Sequence, residues 1–287
     1  MQERWSSWIE YSQLLTRNLA EVHEKMCAVV FSDIMEYLTE TNKMLDIERD
    51  LKFEGENRVQ LLPVACLNTG INLPDHDTTF TLLTTKIVNE ISKKVVRLSA
   101  LNSNSVKNAF SSIAEQLGMS GTSDVTIWNI EKFIVSSTIP ELAETAPPIV
   151  IILEDSEAFN PVVFSKLLEM MAAAQSSLKI IIVLGIATDS SMINDVLPYE
   201  ALSLLDIKHF SCLTAPKYLQ EFLDIQLMTS NAYFQLSSHS FEFLLIQFLN
   251  YDFSVSNFAC GLNFASLEHY RGQRFSFLAA EGKFSIF

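Results

Sequence analysis

The chain has 287 residues, of which 48% are apolar, and a formal net charge of −14. This length can hold one large domain or two of ordinary size, and the apolar fraction is enough for a substantial core. The acidic balance argues against extended contact with duplex DNA, because nucleic-acid binding draws much of its affinity from Lys and Arg that neutralise phosphates.

No run of 18 or more uncharged apolar residues is present, so we expect no transmembrane helix. The N-terminal residues lack the charged and then apolar pattern of a secretory signal. The four cysteines, Cys27, Cys66, Cys212 and Cys260, are far apart and form no C-x-x-C pair. This spacing is typical of reduced thiols in a cytosolic or nuclear protein, and not of disulfides or a zinc site.

The first part of the chain predicts helical structure. Apolar residues recur at spacings of three and four over residues 3–43, with no Pro or Gly between them. We predict an amphipathic hairpin that packs on the following domain. In a second interpretation, the face carrying Trp5 and Trp8 docks on another subunit, because aromatic residues are enriched at protein interfaces. The charged residues of 44–60 predict a solvated linker.

From residue 61 onward, predicted strands and helices alternate. The strands are predicted at 61–67, 95–98, 149–153, 180–184 and 204–210, and the helices between them at 78–92, 105–117, 161–174 and 192–197. Asp77 or Thr78 is the predicted N-cap of the first helix. Two strands are entirely apolar, as in parallel sheets that are covered by helices on both faces.

This pattern predicts three regions. They are an N-terminal helical extension and linker over residues 1–60, a three-layer α/β domain with a five-stranded parallel sheet over 61–212, and a helical lid over 213–287. The lid is predicted to contain helices at 218–228, 240–249 and 255–270.

The first strand and helix have the layout of a phosphate-binding loop, G-x-x-x-x-G-K-[ST]. With Gly70 as the first glycine, the second glycine falls on Asp75, the lysine on His76 and the hydroxyl residue on Asp77. Pro74 removes a backbone N–H that could have bound phosphate. Two carboxylates beside a triphosphate would repel it by several kcal/mol at low effective dielectric. We therefore expect no nucleotide cofactor.

A parallel α/β domain followed by a small helical lid is the layout of an AAA+ ATPase module, but other parts of that chemistry are altered. Glu154-Asp155 follows the third strand in the reverse of the usual Asp-Glu order. Thr188 stands where a sensor residue would lie, although the favoured interpretation is that it caps the next helix. No Lys or Arg occurs between Lys179 and Lys208, or from Tyr218 to Tyr270, so the usual arginine finger is missing.

Three alternatives remain beside a non-catalytic module. The first is an active P-loop ATPase with a divergent phosphate loop. The second is a hydrolytic metal centre at Asp75-His76-Asp77, which is disfavoured because the other histidines have no ligand spacing, so that we expect no metal. The third is a soluble α/β domain whose partners the residues do not reveal.

Several stretches resemble subunit 3 of the eukaryotic origin recognition complex. They are residues 62–80 (LPVACLNTGINLPDHDTTF), 147–159 (PPIVIILEDSEAF), 184–188 (LGIAT), 251–258 (YDFSVSNF) and 267–270 (LEHY). The altered phosphate loop is itself a feature of that family. The resemblance extends from about residue 60 to residue 270 in the expected order.

The resemblance implies a nuclear, AAA+-like subunit without ATPase activity, in a complex that binds replication origins and loads the replicative helicase. It implies contacts with subunits 2, 5 and 6, origin DNA binding only through the assembled complex, and no membrane. Two departures are evident. Residues 118–126 are too short for the family's usual insertion, and the family's further helical region and winged-helix domain are not among these 287 residues. We therefore do not expect this chain to bind DNA by itself.

Overall fold

The computed structural model describes residues 2–53, 60–70, 73–119, 127, 129–130, 147–175, 177–188, 191–212, 214–226, 235–273 and 276. The chain divides into two compact units. The sheet unit comprises Val29–Gly70 and Asp77–Cys212, and the helical unit comprises Met1–Ala28, Ile71–His76 and Leu213–Phe287.

The elements follow one another in this order: α1 (Gln2–Phe53), β1 (Leu62–Asn68), α2 (Leu73–Glu90), β2 (Val95–Leu98), α3 (Val106–Gln116), β3 (Ile149–Leu153), a 3₁₀ turn (Ser156–Ala158), α4 (Pro161–Ala174), β4 (Ile180–Ile186), α5 (Met192–Val196), α6 (Tyr199–Leu202), β5 (Leu205–Ser211), α7 (Ala215–Gln226), α8 (Ser238–Gln247), a π-helical turn (Phe248–Asp252) and α9 (Val255–Gly272).

The sheet has five parallel strands in the order β2-β3-β4-β1-β5, which confirms the predicted α/β class. Every residue of β3 and β4 is buried. Strands without polar alternation are stable only where both faces of the sheet are covered. On one face, α3 contributes Phe110 and Ile113 to the core and α4 contributes Phe164 and Leu168. On the other face, the Phe80 ring of α2 lies against Gly185 of β4.

Helix α1 differs from both predictions for the N-terminal region. It is one helix of 52 residues, so the predicted hairpin is wrong, and the predicted linker is helical as far as Phe53. The physical reason is that no Pro or Gly interrupts the chain before Gly55, and nothing in this stretch ends a helix. Inside the sheet unit, the ring of Tyr37 lies 5.7 Å from that of Phe210, and Lys179 forms an ion pair with Asp46. Asp46 therefore belongs to the packed structure and not to a solvated linker.

The helical unit has its own core. Val22 of α1, Phe222 of α7, Phe248 of the π-helical turn and Leu262 of α9 are all at most 1% exposed and belong to one cluster. Helix α8, in contrast, has no buried residue. The three predicted lid helices are confirmed, with the π-helical turn as an addition that the periodicity did not indicate.

Among the described residues, no helix is both long and apolar enough to span a bilayer.

Candidate functional site

The site predicted from the sequence lies at one edge of the sheet. The residues that follow β1, β3 and β4 are neighbours there, because the carboxyl ends of parallel strands meet at the same edge. The register places Asn68 of β1 beside Ile186 of β4, and Leu153 of β3 beside Leu184 of β4. Gly70, the acid pair Glu154-Asp155 and Thr188 are thus brought to this common edge.

The phosphate loop begins with a turn that Gly70 makes possible. Its φ is +80°, a left-handed conformation that glycine adopts without steric cost. The Gly70 N–H donates to Oδ1 of Asn68 at 3.0 Å, which forms an Asx turn. The N–H of the first loop glycine is therefore bonded within the protein.

Helix α2 begins at Leu73, five residues before the predicted start. Asp77 and Thr78 lie inside the helix, so the prediction that one of them is the N-cap is wrong. Pro74 falls in the first turn, where a missing N–H costs no intrahelical bond, and this explains why proline did not delay the helix. The side chains of Pro74 and Asp75 lie outside the described residues. His76 is buried.

The central feature of this edge is Arg97 of β2. Its Nη2 donates to Oδ1 of Asp77 at 2.7 Å, and its Nη1 donates to Oγ1 of Thr81 at 2.9 Å. Its Nε donates to Oε1 of Glu154. One guanidinium thus joins the phosphate-loop acid to the first member of the acid pair. Arginine suits this role because its donors form a rigid fork that stays protonated.

Both the strand register and a neighbouring amide hold Arg97 in place. Arg97 pairs with Ile152 on β3, two residues before Glu154, and residues two apart on a strand point to the same face. On its other side, β2 is an edge strand. The Gln116 side chain accepts a hydrogen bond from the Arg97 N–H at 2.9 Å and donates one to its C=O at 2.7 Å. Gln116 thereby satisfies backbone groups that an edge strand would leave unpaired.

The electrostatics favour a permanently charged Arg97. The side chains of Arg97 and Glu154 are 27% and 23% exposed, whereas Asp77 is 83% exposed. Partial burial lowers the pKa of Arg97, but the hydrogen bonds that it donates to Glu154 and Asp77 outweigh this effect, and the net pKa is raised. The pair with Glu154 is the better shielded of the two, so the pair with Asp77 is more strongly screened by salt.

The sequence patterns of arginine fingers and sensors do not indicate Arg97, because it lies outside the places where those arginines usually occur. One signal was available. Arg97 is the single charged residue in a short, otherwise apolar strand, Val-Val-Arg-Leu. A charge at such a position needs a partner, and acids predicted at the same sheet edge were the natural candidates.

Thr188 is held by Glu157 from the 3₁₀ turn. A single carboxylate oxygen of Glu157 accepts hydrogen bonds from the Ala187 N–H at 3.1 Å, the Thr188 N–H at 2.8 Å and the Thr188 hydroxyl at 2.8 Å. The Thr188 C=O accepts a bond from Nδ2 of Asn68 at 3.1 Å. The N-cap position of α5 is Ser191, so the prediction that Thr188 caps this helix is wrong. The hydroxyl at the sensor position is bonded to the protein itself.

The interior beneath this edge is closely packed. A Cβ on Gly185 of β4 would lie 2.3 Å from the Glu154 carbonyl oxygen and 2.4 Å from the Phe80 ring. Phe80 projects from α2 and is fully buried. The Phe80 ring thus packs directly against Gly185 beneath the site and leaves no room for a side chain at position 185.

Asp155 behaves differently from Glu154. It lies at the N-cap position of the 3₁₀ turn without a capping side-chain bond, and its C=O accepts a hydrogen bond from the Ala158 N–H at 3.2 Å. Over the described part of the chain, no three His, Cys, Asp or Glu side chains are grouped so that they could hold a metal ion.

The fold and this edge define the class of protein, an AAA+-like module whose sheet edge, at the end of β1, carries an internal Arg97–Asp77–Glu154 cluster (the arginine cluster). The family model described as "Origin recognition complex (ORC) subunit 3 N-terminus" matches residues 1–278. The chain belongs to this family.

Similar proteins agree with that assignment. Origin recognition complex subunit 3 of Homo sapiens is 27% identical over 93% of this chain and 41% of its own length, and the Bos taurus protein is also 27% identical over the same shares. A chain in the structure of Drosophila ORC bound to GC-rich DNA and Cdc6 superposes with a TM-score of 0.84 at 25% identity, covering 97% of this chain and 44% of that chain. This chain thus spans about two fifths of the length of the relatives it matches.

Proposed function

We propose that this protein is a non-catalytic, structural subunit of the origin recognition complex, and that it supports origin DNA binding and helicase loading in the initiation of DNA replication. Family membership supports the complex, and the arginine cluster supports the absence of catalysis. In this proposal the protein acts in the nucleus and requires neither a nucleotide nor a metal.

The arginine cluster is the observation that carries the non-catalytic part. In a working P-loop protein, a hydroxyl and an acid at these positions hold Mg²⁺, which neutralises the phosphates. Here Asp77 stands at the position of the hydroxyl, and Arg97 joins it to Glu154. The positive charge between Asp77 and Glu154 belongs to the protein, so Arg97 offsets one of their two negative charges without an added cation. An incoming triphosphate would have to displace two charge-assisted hydrogen bonds and approach two carboxylates.

The hydrogen bonds that Glu157 accepts also support the absence of catalysis. A sensor residue must be free to bond a phosphate, but the N–H and the hydroxyl of Thr188 both donate to Glu157. Gly70 and Asp77 of the phosphate loop, Glu154 of the acid pair and Thr188 at the sensor position are thus all engaged in bonds within the sheet unit. We infer that these residues stabilise the fold and perform no chemistry.

We propose subunits 2, 5 and 6 of the complex as the direct partners, and contact with origin DNA only through the assembled complex. The strongly acidic balance supports this proposal, because a net charge of −14 leaves few groups that could neutralise a DNA backbone.

Two measurements on the same preparation test this function. We expect isothermal calorimetry with Mg-ATP to detect no binding, and co-expression with subunits 2, 5 and 6 from the same organism to yield a complex that a tag on this chain retains. Micromolar binding of Mg-ATP would instead support the divergent ATPase. A monodisperse chain that retains none of the other subunits would overturn the structural role.

A further inference from the structure

The two tryptophans singled out in the sequence border a groove that the proposed function does not use. The groove lies in the helical unit, where the start of α1 meets the end of α9, and has a volume of about 610 Å³. This is within the range of about 300–1,000 Å³ that is usual for binding pockets. Its walls are formed by Trp5, Trp8, Leu267 and Tyr270, and two arginines, Arg4 and Arg271, line it as well.

The walls present apolar surface, and one of their side chains contains a buried hydrogen-bond donor. The rings of Trp5 and Trp8 have centroids 4.8 Å apart, and Trp5 is 55% exposed. The indole Nε1 of Trp8 is buried and has no hydrogen-bond partner among the described residues.

The two arginines give the groove a positive charge on an otherwise acidic protein. Arg4 Nη1 donates to the Arg271 carbonyl oxygen at 3.0 Å, so the end of α9 fixes its position. Arg271 is 78% exposed and lies 3.3 Å from Glu268, an exposed contact that neutralises it only weakly. From Tyr218 to Tyr270 the chain contains no Lys or Arg. The groove therefore places two arginines beside a stretch of chain that contains Asp and Glu but no Lys or Arg.

We propose that this groove, the tryptophan groove, binds a peptide segment of another subunit, and that this segment is apolar in its centre and flanked by Asp or Glu. The apolar centre would cover Trp5 and Leu267, and the carboxylates would pair with Arg4 and Arg271. Trp and Arg are the residue types that most often dominate binding energy at protein interfaces. The inference rests on the proposed function, because it takes the partner from the same complex.

Photocrosslinking in the assembled complex tests this inference. The photoreactive residue p-benzoylphenylalanine replaces the exposed Trp5 in the complex co-expressed with the other subunits, and mass spectrometry identifies the crosslinked peptide. We expect a single site on another subunit, within a segment of apolar residues flanked by acids. The double variant Arg4→Glu/Arg271→Glu should lower the crosslink yield about tenfold, because it reverses the charge that selects the segment.

Two matched variants keep the test specific. Arg17→Glu also reverses an exposed arginine on α1, one that pairs with Glu21 outside the groove, and should leave the crosslink unchanged. Arg4→Lys/Arg271→Lys keeps the charge and should retain most of the yield.

Four outcomes would overturn the proposal. They are a crosslink to residues 277–287 of this chain itself, a crosslink to a basic segment, equal yields for the two charge-reversal variants, and no crosslink in a complex that has assembled. In all four the complex forms, so they count against the tryptophan groove alone. If no complex forms, the proposed function fails, and this inference fails with it.

Discussion

The sheet unit and the helical unit differ in how completely their elements are buried. In the sheet unit, β3 and β4 are buried along their whole length between two layers of helices. In the helical unit, α8 buries no residue, and Phe243, Ile246 and Phe264 are 64%, 46% and 65% exposed. The sheet unit also exposes apolar side chains, such as Leu101, Val162 and Tyr199 at 85%, 75% and 81%. The difference between the two units therefore lies in single elements, since β3 and β4 are buried completely and α8 stays at the surface.

The largest expected effect comes from a matched pair of phenylalanines. Phe164 in the sheet unit is fully buried, with its ring 5.9 Å from that of Phe159, whereas Phe243 in the helical unit is 64% exposed. Phe164→Ala should lower the free energy of unfolding by about 3–5 kcal/mol, and Phe243→Ala should change it by no more than about 0.5 kcal/mol. Urea denaturation of both variants measures this difference. Equal losses would show that α8 is as well packed as the sheet unit.

A second comparison concerns two glycines. Gly185→Ala in β4 places a Cβ 2.3 Å from a backbone carbonyl oxygen that cannot move cheaply, and should destabilise the sheet unit by about 1–3 kcal/mol. Gly272→Ala at the end of α9 meets no atom within 4 Å. It should be neutral or should stabilise by up to about 1 kcal/mol, because alanine lowers the entropy of the unfolded chain. The midpoints of thermal unfolding distinguish the two, and a neutral Gly185→Ala would contradict the close packing of Glu154 and Phe80.

A smaller effect is expected from the arginine cluster. Arg97→Gln leaves Asp77 and Glu154 close together without their common cation, and should cost about 1–2 kcal/mol at low salt, less than for a fully buried pair because Asp77 is exposed. The loss should shrink in high salt. The double variant Arg97→Gln/Glu154→Gln also removes the carboxylate of Glu154, which is the more buried of the two unpaired charges. It should therefore recover part of the stability. A single variant as stable as the original protein would show that the cluster contributes nothing to the fold.

The smallest effect is kinetic and concerns the thiols. Burial raises the pKa of Cys66 in the sheet unit and of Cys27 in the helical unit to about 11, whereas Cys260 is exposed. At pH 8, a disulfide reagent should label Cys260 quickly and Cys27 and Cys66 only on unfolding, because the thiolate is the reactive form. Cys260→Ser should remove one fast-reacting thiol without loss of stability. Rapid labelling of Cys27 would indicate that the helical unit opens locally.

The raised pKa values of Cys27 and Cys66 also determine how the stability of the protein changes with pH. An acid whose pKa is higher in the folded state keeps its proton there, so unfolding becomes easier once the unfolded thiol ionises. The contribution of Cys66 and Cys27 to stability is therefore complete below about pH 8.5 and is lost as the pH rises toward 11. Denaturation at pH 8 and pH 10 should show the loss, and replacing Cys66 by Ala should reduce it.

Much of the structure of the sheet unit could be predicted from local sequence patterns. The apolar runs that became β3 and β4 predicted buried parallel strands, and the spacing from Gly70 predicted that Asp77 stands at a position of phosphate chemistry. Where the pattern failed, the cause was specific. Leu73 starts α2 early because Pro74 is tolerated in a first turn, and α1 continues to Phe53 because nothing stops it.

The sequence by itself determined the α/β class, the succession of strands and helices along the chain, and the loss of the phosphate-loop residues. Each of these depends on residues that are neighbours along the chain. Only the tertiary structure decided that Arg97 joins Asp77 to Glu154, and that Thr188 donates to Glu157. These partners lie 20, 57 and 31 residues apart, and the sheet brings them together. A charged residue on an apolar strand indicates that an oppositely charged partner is needed. Only the strand order and the register determine which residue becomes that partner.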